Sequence, residues 1–117
     1  MNIRNFFDSQ SEICEKYKAV CDRVGEESIA GVAKNVGHGI LPINGLRHSG
    51  SDNASGWYIW AGDFKEDPDF FEPTHIKHLR DRFPSVLKYL GLPPGWRFQI
   101  DNNDYEDVWE DKSLLNM

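Results

Sequence analysis

The sequence contains little cysteine. Among its 117 residues, Cys14 and Cys21 are the only cysteines, which is too few for a disulfide framework. Both lie in a segment whose apolar spacing predicts a helix, and their positions on that helix would place the two Cα atoms about 10 Å apart. A disulfide requires Cα atoms less than about 7 Å apart. We therefore expect both thiols to be reduced and packed as small apolar groups.

The sequence also lacks an apolar run long enough to cross a membrane. Residues 1–8 have neither the apolar stretch nor the small-residue cleavage site of a secretory signal. There is no internal repeat and no low-complexity linker, and 117 residues is the usual size of one domain. These absences, together with reduced cysteines, predict a single cytoplasmic domain over residues 1–117 and no membrane partner.

Basic residues are scarce, with 13 Lys and Arg against 19 Asp and Glu, for a net charge of -6. The acids concentrate in two segments: residues 63–72 hold five acids and one lysine, and residues 101–111 hold six acids and no base. Such a surface repels a nucleic-acid backbone and attracts a basic partner. Acids also keep a small domain soluble, but the position of each cluster beside an aromatic segment favours a protein partner and no nucleic acid.

The pattern of apolar residues predicts the order of the secondary structure. Apolar residues at helical spacing predict a helix over residues 10–24, after a capping box at residues 9–12. Short apolar or alternating runs predict strands, at residues 29–33, 40–43, 57–61, 96–100 and, more briefly, 105–109. Two short helices are predicted from Pro73 onward, with a restart at Pro84.

This order predicts an α+β domain with a mostly antiparallel sheet of about four to five strands, an N-terminal helix and a central pair of short helices. The strand at residues 57–61 has large side chains on both of its sides. It is therefore predicted to be central in the sheet and covered on both faces.

Catalytic and metal motifs are weak. His75 and His78 lie three residues apart on a predicted helix, a weaker signal than the four-residue spacing of helical zinc sites, so two surface histidines are favoured over a metal site. The acids of residues 104–111 are compatible with a carboxylate pair for hydrolysis or with a calcium loop, although the central glycine of that loop is absent. Residues 37–39 and 49–51 lack the context of a phosphate loop or a nucleophile elbow. We expect no catalytic residue, no cofactor and no metal.

The tryptophans divide into two expected roles. A tryptophan is more often a core residue than a ligand platform, and we expect Trp57 and Trp96 to lie mainly in the core. Trp60 and Trp109 adjoin the acidic segments and are expected to anchor a partner. The predicted partner-binding residues are therefore these two tryptophans and the neighbouring acids, namely Asp63, Glu66, Asp67, Asp69, Asp104, Glu106, Asp107 and Asp111.

Several segments resemble one bacterial family. They are residues 55–63, which begin Ser-Gly-Trp, and the segments at residues 69–71, 74–79, 88–98 and 105–109. The family was long filed as a domain of unknown function and is now linked to the immunity proteins of polymorphic toxin systems, as the thirty-third of that series. The likeness runs over about residues 29–115. The family usually has an acid just before Ser-Gly-Trp, where this chain has Ala54.

The resemblance implies a non-enzymatic protein that protects its own cell by binding a cognate toxin and blocking it. We accordingly expect the partner to be a toxin with a basic active-site surface. The alternative is a small regulatory or ligand-binding domain that uses an aromatic surface as a pocket. A neighbouring gene that encodes a toxin domain would distinguish the first hypothesis from the second.

Overall fold

A computed structural model of the chain describes the backbone of residues 3–116 and the side chains of residues 8–116. The helices and strands follow one another in the order α1 (Ile3–Lys16), β1 (Ile29–Ala33), β2 (Ile43–Arg47), β3 (Ala54–Ala61), β4 (Phe71–His75), α2 (Ile76–Arg82), β5 (Trp96–Ile100) and β6 (Glu106–Glu110). Two 3₁₀ helices complete the fold, a central one at Pro84–Tyr89 and a C-terminal one at Lys112–Asn116. None of the helices in the described part of the chain is long and apolar enough to cross a membrane.

The strands form one six-stranded sheet in the order β4-β1-β3-β2-β5-β6. β1 pairs with β3 in parallel, and the other pairs are antiparallel. The predicted α+β class with a mostly antiparallel sheet is confirmed, with one strand more than expected. The additional strand is β4, where Pro73 was predicted to open a helix. β4 is an edge strand with a neighbour on one side only, so it can contain Pro73, which has no backbone N–H to donate to a second neighbour.

α1, α2 and the central 3₁₀ helix cover one face of the sheet, which we call the helix face. Trp57, Ile59 and Phe98 are at most 1% exposed on this face. The Trp57 indole N–H donates to the carbonyl of Leu90 at 2.9 Å, just after the central 3₁₀ helix. A Cβ on Gly45 would lie 2.2 Å from the Phe98 ring, so only glycine lets that ring lie flat on the neighbouring strand.

The opposite face, which we call the open face, carries no α-helix in the described part of the chain. The strand pairing places Trp109, Arg97, Leu46 and Tyr58 in one row across this face. Tyr58 is 39% exposed although it stands in the middle of the central strand β3. The prediction that this strand is covered on both faces is therefore wrong. Its large residues on the open face pack against one another instead of against a second layer of helices.

The N-terminal helix differs from its predicted bounds. α1 ends at Lys16, and Val20, predicted to lie on its apolar stripe, is 84% exposed. Val24 is nevertheless buried, because the Gln10 side chain pairs with its backbone through two bonds of 3.1 Å and holds the returning chain against the helix. Ser9 lies inside α1, so the predicted capping box is also wrong.

The two cysteines are unpaired, but not because a helix keeps them apart. The chain returns after α1 and brings Cys21 back to Cys14. Burial, followed by a hydrogen bond with Cys21, raises the pKa of the Cys14 thiol to about 12. Cys14 also donates to the carbonyl of Gly91 at 3.2 Å. Such a thiol packs and donates rather than reacts.

Candidate functional site

The topology brings the two acidic segments to the same end of the sheet. Ile43, the first residue of β2, pairs with Ala61 at the end of β3 and with Ile100 at the end of β5. The loops that follow these strands, residues 62–70 and 101–105, therefore leave the sheet side by side. We call these two loops the acidic end. The clusters lie far apart in sequence, and the sequence alone could not show that they meet.

Most of the predicted acids at this end point into solvent. Those that are exposed are Asp63, Glu66, Asp67, Asp69 and Asp104. The loops keep their shape through their own acids, since Asp67 accepts from the backbone N–H of Asp69 at 2.9 Å and Asp101 accepts from that of Asn103 at 2.8 Å. Among residues 8–116, the ion pairs of the structure involve none of these exposed acids.

Glu106 is separated from the other predicted acids. Successive side chains of a strand point to opposite faces, so Asp107 lies on the open face and Glu106 on the helix face. The Glu106 carboxylate accepts from Lys16 at 2.6 Å and from the hydroxyls of Tyr17 and Tyr89. Its oxygens are thus occupied within the chain, where they join α1, β6 and the central 3₁₀ helix. We assign Glu106 to stability rather than to a binding surface.

Glu106 should make the stability of the fold sensitive to acid. Burial would raise its pKa, but the hydrogen bonds from Lys16, Tyr17 and Tyr89 outweigh burial and lower the pKa from 4.5 to about 2. Between these values the unfolded chain binds more protons than the folded one. The contribution of Glu106 is therefore fully present above about pH 4.5, and it is lost as the pH falls toward 2.

We expect Glu106→Gln to lower the free energy of unfolding at pH 7 and to flatten its dependence on pH between 4.5 and 2.5. Urea unfolding at a series of pH values measures both effects. Glu110→Gln is the matched control, because Glu110 is an exposed acid of the same strand. Equal pH profiles for the two variants would contradict the role assigned to Glu106.

Asp111 and Trp109 lie around Arg97 on the margin of the open face. The Arg97 guanidinium lies 3.3 Å from the Asp111 carboxylate and 5.5 Å from the centre of the Trp109 ring. The hydrogen bond from Ser113, followed by that from Arg97, lowers the pKa of Asp111. Trp109 remains 37% exposed, so part of its side chain is available to a partner.

Trp60, the other predicted anchor, is only 6% exposed. The Phe64 ring lies edge-on over it with the ring centres 5.5 Å apart, and Phe71 lies 6.2 Å away. Phe64 itself is 53% exposed at the acidic end. The aromatic side chain of this loop that meets solvent is therefore Phe64, which is not among the residues predicted from the sequence. Its position directly after Asp63 and close before Glu66 and Asp67 was the available signal.

A cleft of about 450 Å³ lies on the open face between Phe64 and the C-terminal 3₁₀ helix. Its lining includes Leu46, Tyr58, Trp60, Phe71 and Leu114. The Tyr58 ring lies over Gly31, where a Cβ would come 2.8 Å from it. Because Gly31 has no side chain, the Tyr58 ring can pack directly over it and form the bottom of the cleft.

The two predicted metal-ligand candidates do not share a helix. His75 is the last residue of β4, and His78 lies in α2 with the two ring centres 5.8 Å apart. Among the described residues, no group of three or more His, Cys, Asp and Glu side chains is placed to hold a metal ion. These histidines instead lie near Glu27, whose pKa is lowered first by its hydrogen bond from Lys77.

Together these features define a small α+β domain with one sheet face packed by helices and the other presenting an aromatic cleft beside an acidic end. The model of the Imm33-like domain family matches residues 9–111. The chain therefore belongs to the Imm33-like domain family, as its resemblance to immunity proteins predicted, and the match begins within α1 rather than at β1. No curated protein and no solved structure matches the chain.

Ala54, which stands where the family usually has an acid, lies at the turn that leads into β3. Ala54 and Ser51 exchange two backbone hydrogen bonds, of 2.7 and 3.1 Å, around Asp52 with a φ of 47°. The turn before Ser-Gly-Trp is thus closed by its own backbone without an acid at position 54. Ala54 is exposed, so a side chain at this position of the chain faces solvent.

Proposed function

We propose that this protein binds a cognate bacterial toxin and neutralises it by covering the toxin's active site, without catalysing a reaction of its own. The observation that supports this function most directly is membership of the Imm33-like family over residues 9–111. A family of immunity proteins implies a toxin as the partner. An immunity protein of the cytoplasm would protect against a toxin whose target lies inside the cell, such as nucleic acid, nucleotide or protein.

The acidic end supports a toxin with a basic active-site surface. Five exposed carboxylates from two loops act at one place, and Lys65 is the only base between residues 62 and 70. Grouped charges of one sign steer an oppositely charged partner and raise the rate of encounter. In this proposal the acids set the rate and orientation of binding, and exposed aromatic residues such as Trp109 supply binding energy.

The second candidate function is that of a small ligand-binding domain. The cleft of about 450 Å³ with its aromatic lining supports it, because pockets for small molecules typically measure about 300–1,000 Å³. The two functions make different demands on the acidic end. A toxin would need it, whereas a small molecule in the cleft would not.

The decisive experiment uses the toxin domain encoded next to this gene. Cells that express that domain alone are expected to stop growing, and co-expression of this protein is expected to restore growth. The purified protein should bind a catalytically inactive version of the same domain, which separates binding from any effect on expression. Absence of both binding and protection would overturn the proposed function and favour the ligand-binding domain.

A further inference from the structure

The open face has the shape of a docking surface for a polypeptide. The cleft of about 450 Å³ adjoins a second hollow of about 560 Å³, and both are lined by His48, Tyr58 and Phe71. The two hollows therefore form one continuous surface across β2, β3, β1 and β4. Together the hollows of about 560 and 450 Å³ reach the upper end of the range for small-molecule pockets, about 300–1,000 Å³. The surface suits a chain segment that lies across the strands.

The floor of this surface is apolar and carries almost no uncompensated charge. Tyr58 contacts His48 and Phe71 through edge-on ring pairs, with centres 5.6 and 5.2 Å apart. The charged groups that line it are already paired, since Arg97 faces Asp111 at 3.3 Å and Glu72 faces Arg82 at 3.7 Å. The floor therefore favours an uncharged, bulky side chain.

The negative charge of the acidic end indicates which partner residues should lie next to that apolar side chain. Tyr58 stands three residues before the end of β3, so the middle of the cleft lies roughly 10 Å from the acidic end. Phe64, which forms the wall of the cleft, belongs to the acidic loop itself. A segment that places an apolar side chain over Tyr58 would thus bring its neighbouring residues to the exposed acids.

Pairing of a partner strand with the edges of the sheet is less favourable than docking on the open face. The edge strand β4 contains Pro73, which cannot donate to a further strand. The other edge strand, β6, carries Glu106, Asp107 and Glu110 in five residues. Charged residues and proline are the usual devices that keep edge strands from pairing. The open face is the surface without such protection.

We propose that the cleft on the open face receives a bulky apolar side chain of the toxin, from a segment whose lysine or arginine residues lie about 10 Å further on and contact the acidic end. This inference rests on the proposed function. It adds the face of the sheet that binds the toxin, the apolar toxin side chain that enters the cleft, and the position of the basic toxin residues next to it. The toxin segment would run from the C-terminal 3₁₀ helix toward the acidic end. Trp109, in the same cross-strand row as Tyr58, would lie at the border of the contact.

The test measures how tightly two arginine variants bind a probe. The probe is the inactive toxin domain encoded by the neighbouring gene. Tyr58→Arg places a positive charge and a longer side chain in the cleft, and we expect it to weaken binding at least tenfold. Val20→Arg is the matched control, because Val20 is 84% exposed, follows α1 and lines neither hollow of the open face. It should bind like the parent, and both variants should melt near the parental temperature.

The four tryptophan indole N–H signals in a nitrogen-15 NMR spectrum provide a second readout on the unaltered protein. On titration with the same toxin domain, the signals of Trp60 and Trp109 are expected to shift. The signals of Trp57 and Trp96 should keep their chemical shifts. Trp57 is 1% exposed and lies on the helix face. This measurement remains decisive if Tyr58→Arg fails to fold.

The outcomes separate this inference from the proposed function. Toxin that binds Tyr58→Arg as tightly as the parent, or that shifts Trp57 and Trp96 only, would overturn docking on the open face and leave the immunity function standing. Self-association in the absence of toxin that shifts Trp109 would assign the face to a second copy of this chain and also overturn the inference. Absence of any toxin binding would overturn the proposed function itself.

Discussion

Replacing Trp57 with alanine is expected to lower the free energy of unfolding by about 3–5 kcal/mol. The indole is 1% exposed, its ring centre lies 5.4 Å from that of Phe98, and its N–H donates to Leu90. Truncation would leave a large cavity at the centre of the helix face and would remove a good donor from a buried carbonyl. Since a domain of this size has a stability of only about 5–15 kcal/mol, this one change should bring the protein near to unfolding.

Trp96→Ala provides the comparison for this prediction. The sequence predicts both tryptophans in the core, and the structure confirms this for Trp57, whereas Trp96 is partly buried at the margin of the core. The loss for Trp96→Ala should therefore be clearly smaller. Urea unfolding followed by circular dichroism measures both without relying on tryptophan fluorescence. Equal losses, or a Trp57→Ala protein as stable as the parent, would contradict the assignment of Trp57 to the centre of the core.

The strands that could be predicted are those whose sequence pattern matches their burial. β5 alternates, and two of the three residues that the pattern selected, Phe98 and Ile100, are buried, while the third, Trp96, is partly buried. β1 is a short apolar run that pairs on both of its sides. In these places the local pattern and the tertiary packing agree, so the sequence was sufficient.

The parts that could not be predicted depend on partners far away in the chain. The helix pattern continued to Val24, yet α1 stops at Lys16, and Lys18 takes a positive φ of 58°. The segment is held by Arg47, whose buried guanidinium donates to the carbonyls of Asp22 and Leu92, both at 2.8 Å. Nothing local to residues 17–24 signals that an arginine of β2 will satisfy the carbonyl of Asp22.

The exposure of the acids could be predicted from the sequence, whereas their arrangement could not. Asp63, Glu66, Asp67, Asp69 and Asp104 are exposed, because charged residues in loops rarely become buried, and their role in binding a partner stays a prediction. Their meeting at one end follows from the pairing of Ile43 with both Ala61 and Ile100, which only the sheet order reveals. Glu106 was grouped with them because alternation along a strand cannot be oriented until the faces of the sheet are known.

The acidic end leads to the second large expected effect, which concerns the rate of association with the toxin. Like charges gathered at one place repel each other and contribute little to folding, since exposed charges are each worth about 0–1 kcal/mol. The same charges act together on an approaching basic surface and can raise the association rate by about 10-fold or more at low salt. The effect should fade with salt, because the screening length falls to about 8 Å at physiological ionic strength.

Two multiple variants separate the acids of the first loop from those at the second loop and just after it. One replaces Asp63, Glu66, Asp67 and Asp69 with the corresponding amides, and the other does the same to Asp104 of the second loop and to Asp107, which follows in β6. We omit Glu106 and Asp111, because the first is bonded to α1 and the second pairs with Arg97. Association rates with the inactive toxin domain, measured by surface plasmon resonance over a salt series, report the effect directly.

We expect the first variant to lose most of the salt dependence and to associate about 10-fold more slowly at low salt, while its melting temperature stays at or above that of the parent. The second variant should show a smaller effect in the same direction, because it removes fewer charges from the same end. Since the two loops leave the sheet together, combining the variants should abolish the remaining salt dependence. If all of these proteins associate and protect cells like the parent at every salt concentration, the acids serve only solubility, and the toxin must bind through the open face without electrostatic steering.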